Sequence, residues 1–313
     1  MSAWYRGDCH VHSVHSGWAL TPARLVADAR SMGLDFLAAT EHRDAGGYDE
    51  WARQDLLVIP GREATTDTGH WLALGIPPGH VVEWRYGVRD GVLDRHLAEV
   101  NRLGGLSVAA HPHAPYPSGQ FMYSYAGIDV VEVWNGPWTS DRPWQADNEA
   151  ALAEWGRALG ADIPGGRWRP AMGNSDTHLD GQLGLPHTVV LAESLTTGAI
   201  LAGIRAGRSW IAGSTDVRLR FSASAGGRSA GIGERLAVPP DAPVLVRVEV
   251  RGVPSGTVSL HTERGPVHRE SLAREGAGTV EWSTTPAESG FIRVEIRHVG
   301  GPMAALSNPI LVG

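Results

Sequence analysis

The sequence predicts an α/β protein: a barrel of strands and crossover helices followed by a small antiparallel β module. Three observations carry this expectation. Strand and helix patterns alternate through about two-thirds of the chain, helical periodicity stops near residue 213, and the remaining segments alternate apolar and polar residues between Gly/Pro turns. At 313 residues there is room for one large α/β domain or for a barrel plus a smaller module.

The elements come in order. "GDCHVHS" near the start reads as a polar strand end. "TPARLVADARSMG" (21–33) has a Thr cap, Pro at the first helical position and a closing Gly, so it reads as a helix. "LDFLAAT" is a short apolar strand ending at Glu41–His42, and "DLLVIPG" and "HWLALGI" repeat the strand signal around Glu63 and His70. Apolar residues at helical spacing mark 92–105, with "LSVAAHPH" the strand behind it. The pattern continues through the strand "IDVVEVWNG", the helix 146–160, the strand "RPAMGNSDTH", the strand "HTVVLAES", the helix "TTGAILAGIRAG" and the strand "RSWIAGS". Seven or so strands in such an alternation suggest a parallel sheet closing into a barrel over 1–213. Beyond it, "VLVRVEVRG", "GTVSLHTERG", "GTVEWST" and "GFIRVEIRHVG" predict an antiparallel sandwich over 214–313.

Composition narrows the function. The apolar fraction of 42% suits a globular core, and no run approaches the length of a membrane span. A formal charge of −7 without a basic run argues against nucleic acid as partner. All 27 basic residues are arginine, so Schiff-base and lysine general-base chemistry are excluded. The single cysteine, Cys9, cannot form an internal disulfide, and no charged-then-apolar leader opens the sequence. A reducing cytoplasm is the expected compartment.

Histidine is the outstanding residue: 14 in all, clustered where strand patterns stop. Residues two apart on a strand share a face, so His10 and His12 present two imidazoles to one place. His42 closes the second strand and Glu63 the third; His70 opens the next, His111 closes a later one, and Asp176/His178 close another. The C-terminal ends of parallel barrel strands carry active sites. Nitrogen and oxygen ligands without a thiolate imply Zn, Mn or Fe. Cys9 should point away from the site as a small buried hydrophobe, His113 reads as a surface residue, and His80, His96, His187 and the three C-terminal histidines lie off the pattern.

"GDCHVHS", "FLAATEH", "GREATTDTGHWLALG", "SVAAHPH" and "GNSDTH" resemble, in order, the motifs of the polymerase and histidinol phosphatase (PHP) superfamily of metallohydrolases. "DVVEVWNGP" and the C-terminal β module resemble its CehA/McbA-like branch. The resemblance covers residues 5–213. It implies a distorted seven-stranded (β/α) barrel with two to three divalent ions at its mouth. Position by position it implies that His10, His12, Glu63 and Asp176 bind one ion, and that Glu63 bridges to a second held with His70 and His111. His42 and His178 would belong to a third site or face the substrate. Many members carry Ser-Asp-Gly after the second histidine; here Ser16-Gly17-Trp18 lacks the carboxylate, which leaves His15 as the candidate replacement.

The implied chemistry is hydrolysis by a metal-bridging hydroxide, with Asp176, His42 and His178 in the catalytic group and a histidine to protonate the leaving group. A small anionic substrate is expected, most simply a nucleotide or aryl phosphate; hydrolysis of a carbamate, ester or amide is the alternative, and a regulatory metal-binding module the reading from another class. Arg43 and Arg62 adjoin ligands and are candidate phosphate clamps, although strand alternation aims Arg62 away from Glu63. Trp134, Trp138, Trp144 and Trp18 would either stack on a planar substrate group, Trp138 foremost, or pack their loop onto the barrel.

Overall fold

The computed structural model describes residues 2–42 and 46–313. Its backbone is a long curled sheet built around β1 (Ala3–Val11). On one side β1 pairs in parallel with β2 (Phe36–Ala39), and β2 in turn with β3 (Leu57–Thr66). The sheet then runs through β4 (Gly69–Leu74), β5 (Leu106–Ala109), β6 (Val130–Asn135) and β7 (Ala171–Asn174). It curls until β7 returns to β1. The Cys9 N–H donates to Asn174 Oδ1 at 2.9 Å, and Val11 and Thr177 form a parallel bridge. On its other side β1 pairs with β8 (His187–Ala192), which leads to β9 (Ser209–Ala212).

Not every pairing is parallel, contrary to the expectation. β3–β4, β4–β5, β1–β8 and β8–β9 are all antiparallel. For β3–β4 the cause is chain length. Only Asp67 and Thr68 separate β3 from β4, and a parallel crossover needs a dozen or more residues. Gly69 completes this hairpin at φ +137°, where a Cβ would stand 2.8 Å from Phe121 Cα.

The helices keep closer to local sequence. α1 (Pro22–Met32) begins with Thr21 accepting the Arg24 N–H at 3.2 Å and ends at Gly33 in the left-handed region. Its buried Leu25, Val26 and Ala29 join Leu37 and Trp51 in one apolar cluster. Trp51 comes from a short helix without a sequence signal, α2 (Tyr48–Ala52). α3 (Leu93–Arg102), α4 (Asn148–Asp162) and α5 (Thr197–Arg205) match the expected segments, with Asp147 and Thr196 capping the last two. No described helix is long and apolar enough to cross a membrane.

After β9 the chain is strand and turn. β10 (Arg218–Ala225), β11 (Arg228–Gly231), β13 (Val244–Arg251) and β16 (Gly278–Thr284) form a four-stranded antiparallel sheet in the order β11-β10-β13-β16. β12 (Arg235–Leu236), β14 (Thr257–Thr262), β15 (Gly265–Ser271), β17 (Phe291–Arg297), β18 (Met303–Ser307) and β19 (Ile310–Val312) join the long sheet instead. The link is β18 against β9, with Ala305 opposite Ala212. Hydrogen bonding therefore runs unbroken past residue 213. Period-2 burial of Val244, Val246, Val248 and Val250 faces Val258, Val294 and Ile296 across one apolar core, which Val189 and Trp210 also enter.

Candidate metal centre

β1 alternates strictly at its end: Asp8, His10 and His12 lie on one face, while Cys9 is buried among Phe36, Ala38 and Ile59 on the other. His10 and His12 are fully buried, with ring centroids 5.1 Å apart. Around them gather His42 after β2, Glu63 from β3, His70 from β4, His111 after β5, and Asp176 and His178 after β7. Glu63 is the hub. Its Oε1 lies 3.0 Å from His70 Nδ1 and 3.2 Å from His111 Nε2. Its Oε2 lies 2.8 Å from His42 Nε2, 3.4 Å from His12 Nε2 and 3.5 Å from His10 Nε2. Asp176 Oδ1 adds contacts of 3.1 Å to His12 Nε2 and 3.3 Å to His10 Nε2. Glu63 sits within β3 and not at its end, because that strand runs on to Thr66 to form the hairpin.

These side chains suit divalent cations. In each of three groups the ligand atoms lie within 4.8 Å of one another: His10 with Glu63 and His111, His10 with His12 and Asp176, and His12 with His42 and His178. His10 Nε2, His12 Nδ1 and His111 Nδ1 are buried without a hydrogen-bond partner, which is costly unless something else engages them. The electrostatics agree. Burial pushes the Glu63 and Asp176 carboxyls up, but the histidines around them outweigh it and hold both well below the usual carboxylate range. Burial and the neighbouring His42 take His12 down to about 4, so it is a neutral ligand at physiological pH. Burial opposes a charge on His10, yet Asp176, Glu132 and Glu63 raise its pKa well above the ordinary value. The centre attracts positive charge. Two of the residues involved, His111 at φ +26° and Asp176 at φ +51°, also hold left-handed backbone that non-glycine residues rarely adopt.

A surrounding layer holds the ligands in place, and sequence reasoning missed it. Glu132, buried in β6, faces His10 Nδ1 at 3.1 Å and accepts from the His111 N–H at 2.8 Å, Asn174 Nδ2 at 2.8 Å and Asn135 Nδ2 at 3.1 Å. A carboxylate inside the apolar run "DVVEVW" was its only signal. Asp8 accepts from Ser175 Oγ at 2.5 Å and the Gly184 N–H at 2.9 Å, tying β1 to the segment between β7 and β8; burial lifts its carboxyl to about 6. Glu41 accepts from Trp51 Nε1 at 3.0 Å and from the hydroxyls of Ser13 and Ser16.

Eight of the nine residues expected as ligands converge here. His15 does not. The alternation of β1 carries one residue past its end, to His12, and is then broken by a 3-10 turn at Val14–Ser16; His15 lies on that turn and faces Glu50 of α2 at 3.0 Å. Arg43 lies outside the described residues. Arg62 points away from Glu63 and lines a separate surface depression with Tyr48 and Asp49. Trp138, expected to meet substrate, is buried instead: it packs edge-to-face on Trp134 at 5.1 Å and donates to Glu149 at 2.8 Å. His113 pairs with Glu154 at 2.8 Å, off the cluster.

A pocket of about 500 Å³ opens over the cluster, with His111, Asp176 and His178 in its floor. Trp18, Tyr116, Asn135, Arg142, Trp144 and Gln182 are among its walls. Trp144 is 59% exposed, and Trp18 meets the His178 ring edge-on at 4.2 Å. Tyr116 stands with its ring 6.0 Å from His70 and 6.2 Å from His111. Burial, then the charge of Glu63, push its hydroxyl up, so it stays a neutral hydrogen-bond donor.

No protein-family model matches the sequence, and no curated protein matches it. Solved structures do. The chain is similar to a two-domain protein from Bacteroides vulgatus described as containing a predicted PHP-like metal-dependent phosphoesterase. The likeness covers 99% of this chain and 95% of that one, at 16% identity and a TM-score of 0.55. Weaker likenesses extend to a protein from Bifidobacterium adolescentis, provisionally described as a metal-dependent phosphoesterase (63% and 94% covered, 20% identity, TM-score 0.42), and to an amidohydrolase from Chromobacterium violaceum (57% and 89%, 20%, 0.38). The fold class is therefore that of the PHP-like structures, a mixed α/β fold on a curled sheet. Within that class the chain is similar to the Bacteroides protein over nearly the whole length of both.

Proposed function

We propose that this protein is a metal-dependent hydrolase acting on a small phosphorylated metabolite, with a nucleotide or aryl phosphate the preferred class. One observation carries the reading: Glu63 gathers five histidines and Asp176 draws in His178 beside them, directly beneath an open pocket. His10, His12, Asp176 and Glu63 would hold one cation, Glu63, His70 and His111 a second, and His42 with His178 a third; Zn, Mn and Fe suit the nitrogen–oxygen donor set. Such ions supply Lewis acidity toward a phosphoryl oxygen and make water nucleophilic near neutral pH. The protein's own groups do the rest. Glu132 takes up His10 Nδ1 and so directs Nε2 into the cluster. Asn135 donates to Asp176 Oδ2 at 3.3 Å and orients it. His178 Nδ1 faces the Asp176 carbonyl at 2.6 Å, so Nε2 is the nitrogen that would hold the third cation or, where that position is empty, exchange a proton with the leaving group. Tyr116 and Arg142 offer hydrogen bonds and charge to an anion, and Trp18 and Trp144 offer planar faces to its organic part.

We read the curled strands β1–β7 as the distorted seven-stranded barrel, with 1–213 as the catalytic domain and 214–313 as a sandwich module. A net charge of −7 and Arg142 as the one arginine lining the pocket among the described residues favour a small anion over nucleic acid or a membrane surface, and the lone buried Cys9 goes with a reducing cytoplasm. The tryptophan-rich walls also favour a second reading, hydrolysis of an aryl carbamate or ester, in line with the CehA/McbA-like resemblance. Metal analysis with p-nitrophenyl phosphate, bis-p-nitrophenyl phosphate, p-nitrophenyl acetate and an aryl carbamate separates the two. Chelator-sensitive cleavage of the monoester is expected, with Trp144→Ala weakening aryl phosphates more than sugar phosphates. Cleavage of carbamate or ester alone replaces the first reading by the second.

A further inference from the structure

We propose that the C-terminal strand β17 sets the outer wall of the pocket, with Arg297 as the positioning residue. The proposal rests on the reading of this pocket as the substrate site. The wall is the irregular segment 136–147, which contributes Arg142, Trp144 and Gln145. Having no ladder of its own, it takes its shape from the first turn of α4. Asn148 Nδ2 donates to the carbonyls of Asn135 at 3.2 Å, Pro137 at 3.1 Å and Trp138 at 3.3 Å, and its Oδ1 accepts the Asn135 N–H at 2.9 Å. Glu149 beside it accepts from Trp138 Nε1 at 2.8 Å.

Glu149 is in turn held from the far end of the chain. Arg297 binds both of its oxygens, at 2.5 Å and 3.1 Å, and lies over the Trp138 ring at 5.4 Å from its centroid. Strand alternation puts Arg293, Glu295 and Arg297 on one face of β17. Arg293 pairs with Glu295 at 2.7 Å, and Arg297 reaches the other Glu295 oxygen at 3.2 Å. Arg293 packs under α4, its guanidinium over the Trp155 ring at 5.4 Å from the centroid. A surface ion pair alone would count for little. This one is bidentate, stacked on an indole and continuous with a buried pair. The result is a ladder of alternating charge from the C-terminal strands to the pocket wall, and it explains why Trp138 is buried while Trp144 is exposed. Arg297 touches no pocket group, so it acts through Glu149 and Trp138.

Hydrogen–deuterium exchange on the full chain tests this without any substrate. Arg297→Gln should speed exchange of 136–147 by about tenfold or more while β1–β5 stay unchanged. Arg297→Lys should recover part of the protection, because a point charge cannot span both oxygens. Glu149→Gln should add nothing to Arg297→Gln, since the two act as one unit. Trp138→Phe, which removes the N–H together with part of the ring, should loosen the same segment with β17 intact. With p-nitrophenyl phosphate, Arg297→Gln should raise KM by about tenfold with kcat and metal content nearly unchanged. Unaltered exchange at 136–147 in Arg297→Gln overturns the proposal, as does a uniform rise along the chain with Trp138→Phe silent. Failure of the wild type to cleave any phosphate ester overturns the phosphoesterase reading alone and leaves the exchange result standing.

Discussion

Glu132→Gln is the sharpest probe of how the centre is held. The substitution keeps the shape of the side chain and exchanges one acceptor oxygen for an amide donor. Oε1 serves His10 Nδ1 and Asn174 Nδ2, while Oε2 serves the His111 N–H and Asn135 Nδ2. Whichever way the new amide turns, two buried donors face another donor. Each unsatisfied buried donor costs about 1–3 kcal/mol, so a destabilisation of about 2–6 kcal/mol is expected. Losing the partner that orients a histidine ligand should also weaken metal binding by about 10–100-fold. Urea unfolding of the chelated protein measures the first effect, and elemental analysis after dialysis against a buffered metal the second. A loss below about 1 kcal/mol with unchanged metal content would refute the reasoning, for it would mean the Glu132 carboxylate is dispensable in both roles.

Three further outcomes are expected. Glu63→Ala should reduce metal content at two positions together, because its Oε1 faces His70 and His111 while Oε2 faces His42, His12 and His10; loss of one ion only, by elemental analysis, would contradict the hub. His15→Ala should leave metal content unchanged, since the ring is engaged by Glu50, and a fall in bound metal would return His15 to the ligand set. Acid should destabilise the protein through His187: burial depresses its pKa to about 4, and Arg6, which can only donate, lies 3.0 Å from Nε2. The unfolded chain takes up that proton below about 6.5 and the folded one does not. The contribution is therefore full above about 6.5 and falls by about 3 kcal/mol as pH drops toward 4. His187→Gln should flatten that slope in the difference between the two proteins, measured by urea unfolding across pH 4–7; identical slopes would count against it.

Much of the candidate centre was legible in the sequence because short-range geometry decides it. His10 and His12 share a face by strand alternation, and the ordered motifs carry the PHP-like resemblance. Helix limits such as Thr21 and Gly33 arise from the capping chemistry of two or three adjacent residues. Where the strand ended, that reach ended too: His15 is only three positions beyond His12, yet a turn sends it to Glu50. The antiparallel pairings, the continuity of β18 with β9, Glu132 beneath His10, and the burial of Trp138 were decided by tertiary structure alone. Each depends on which distant segment supplies the complementary surface or charge. Arg297 stands 148 positions from Glu149, and no local pattern in either segment announces the other. Local periodicity specifies the face a residue occupies; only the folded chain specifies what that face meets.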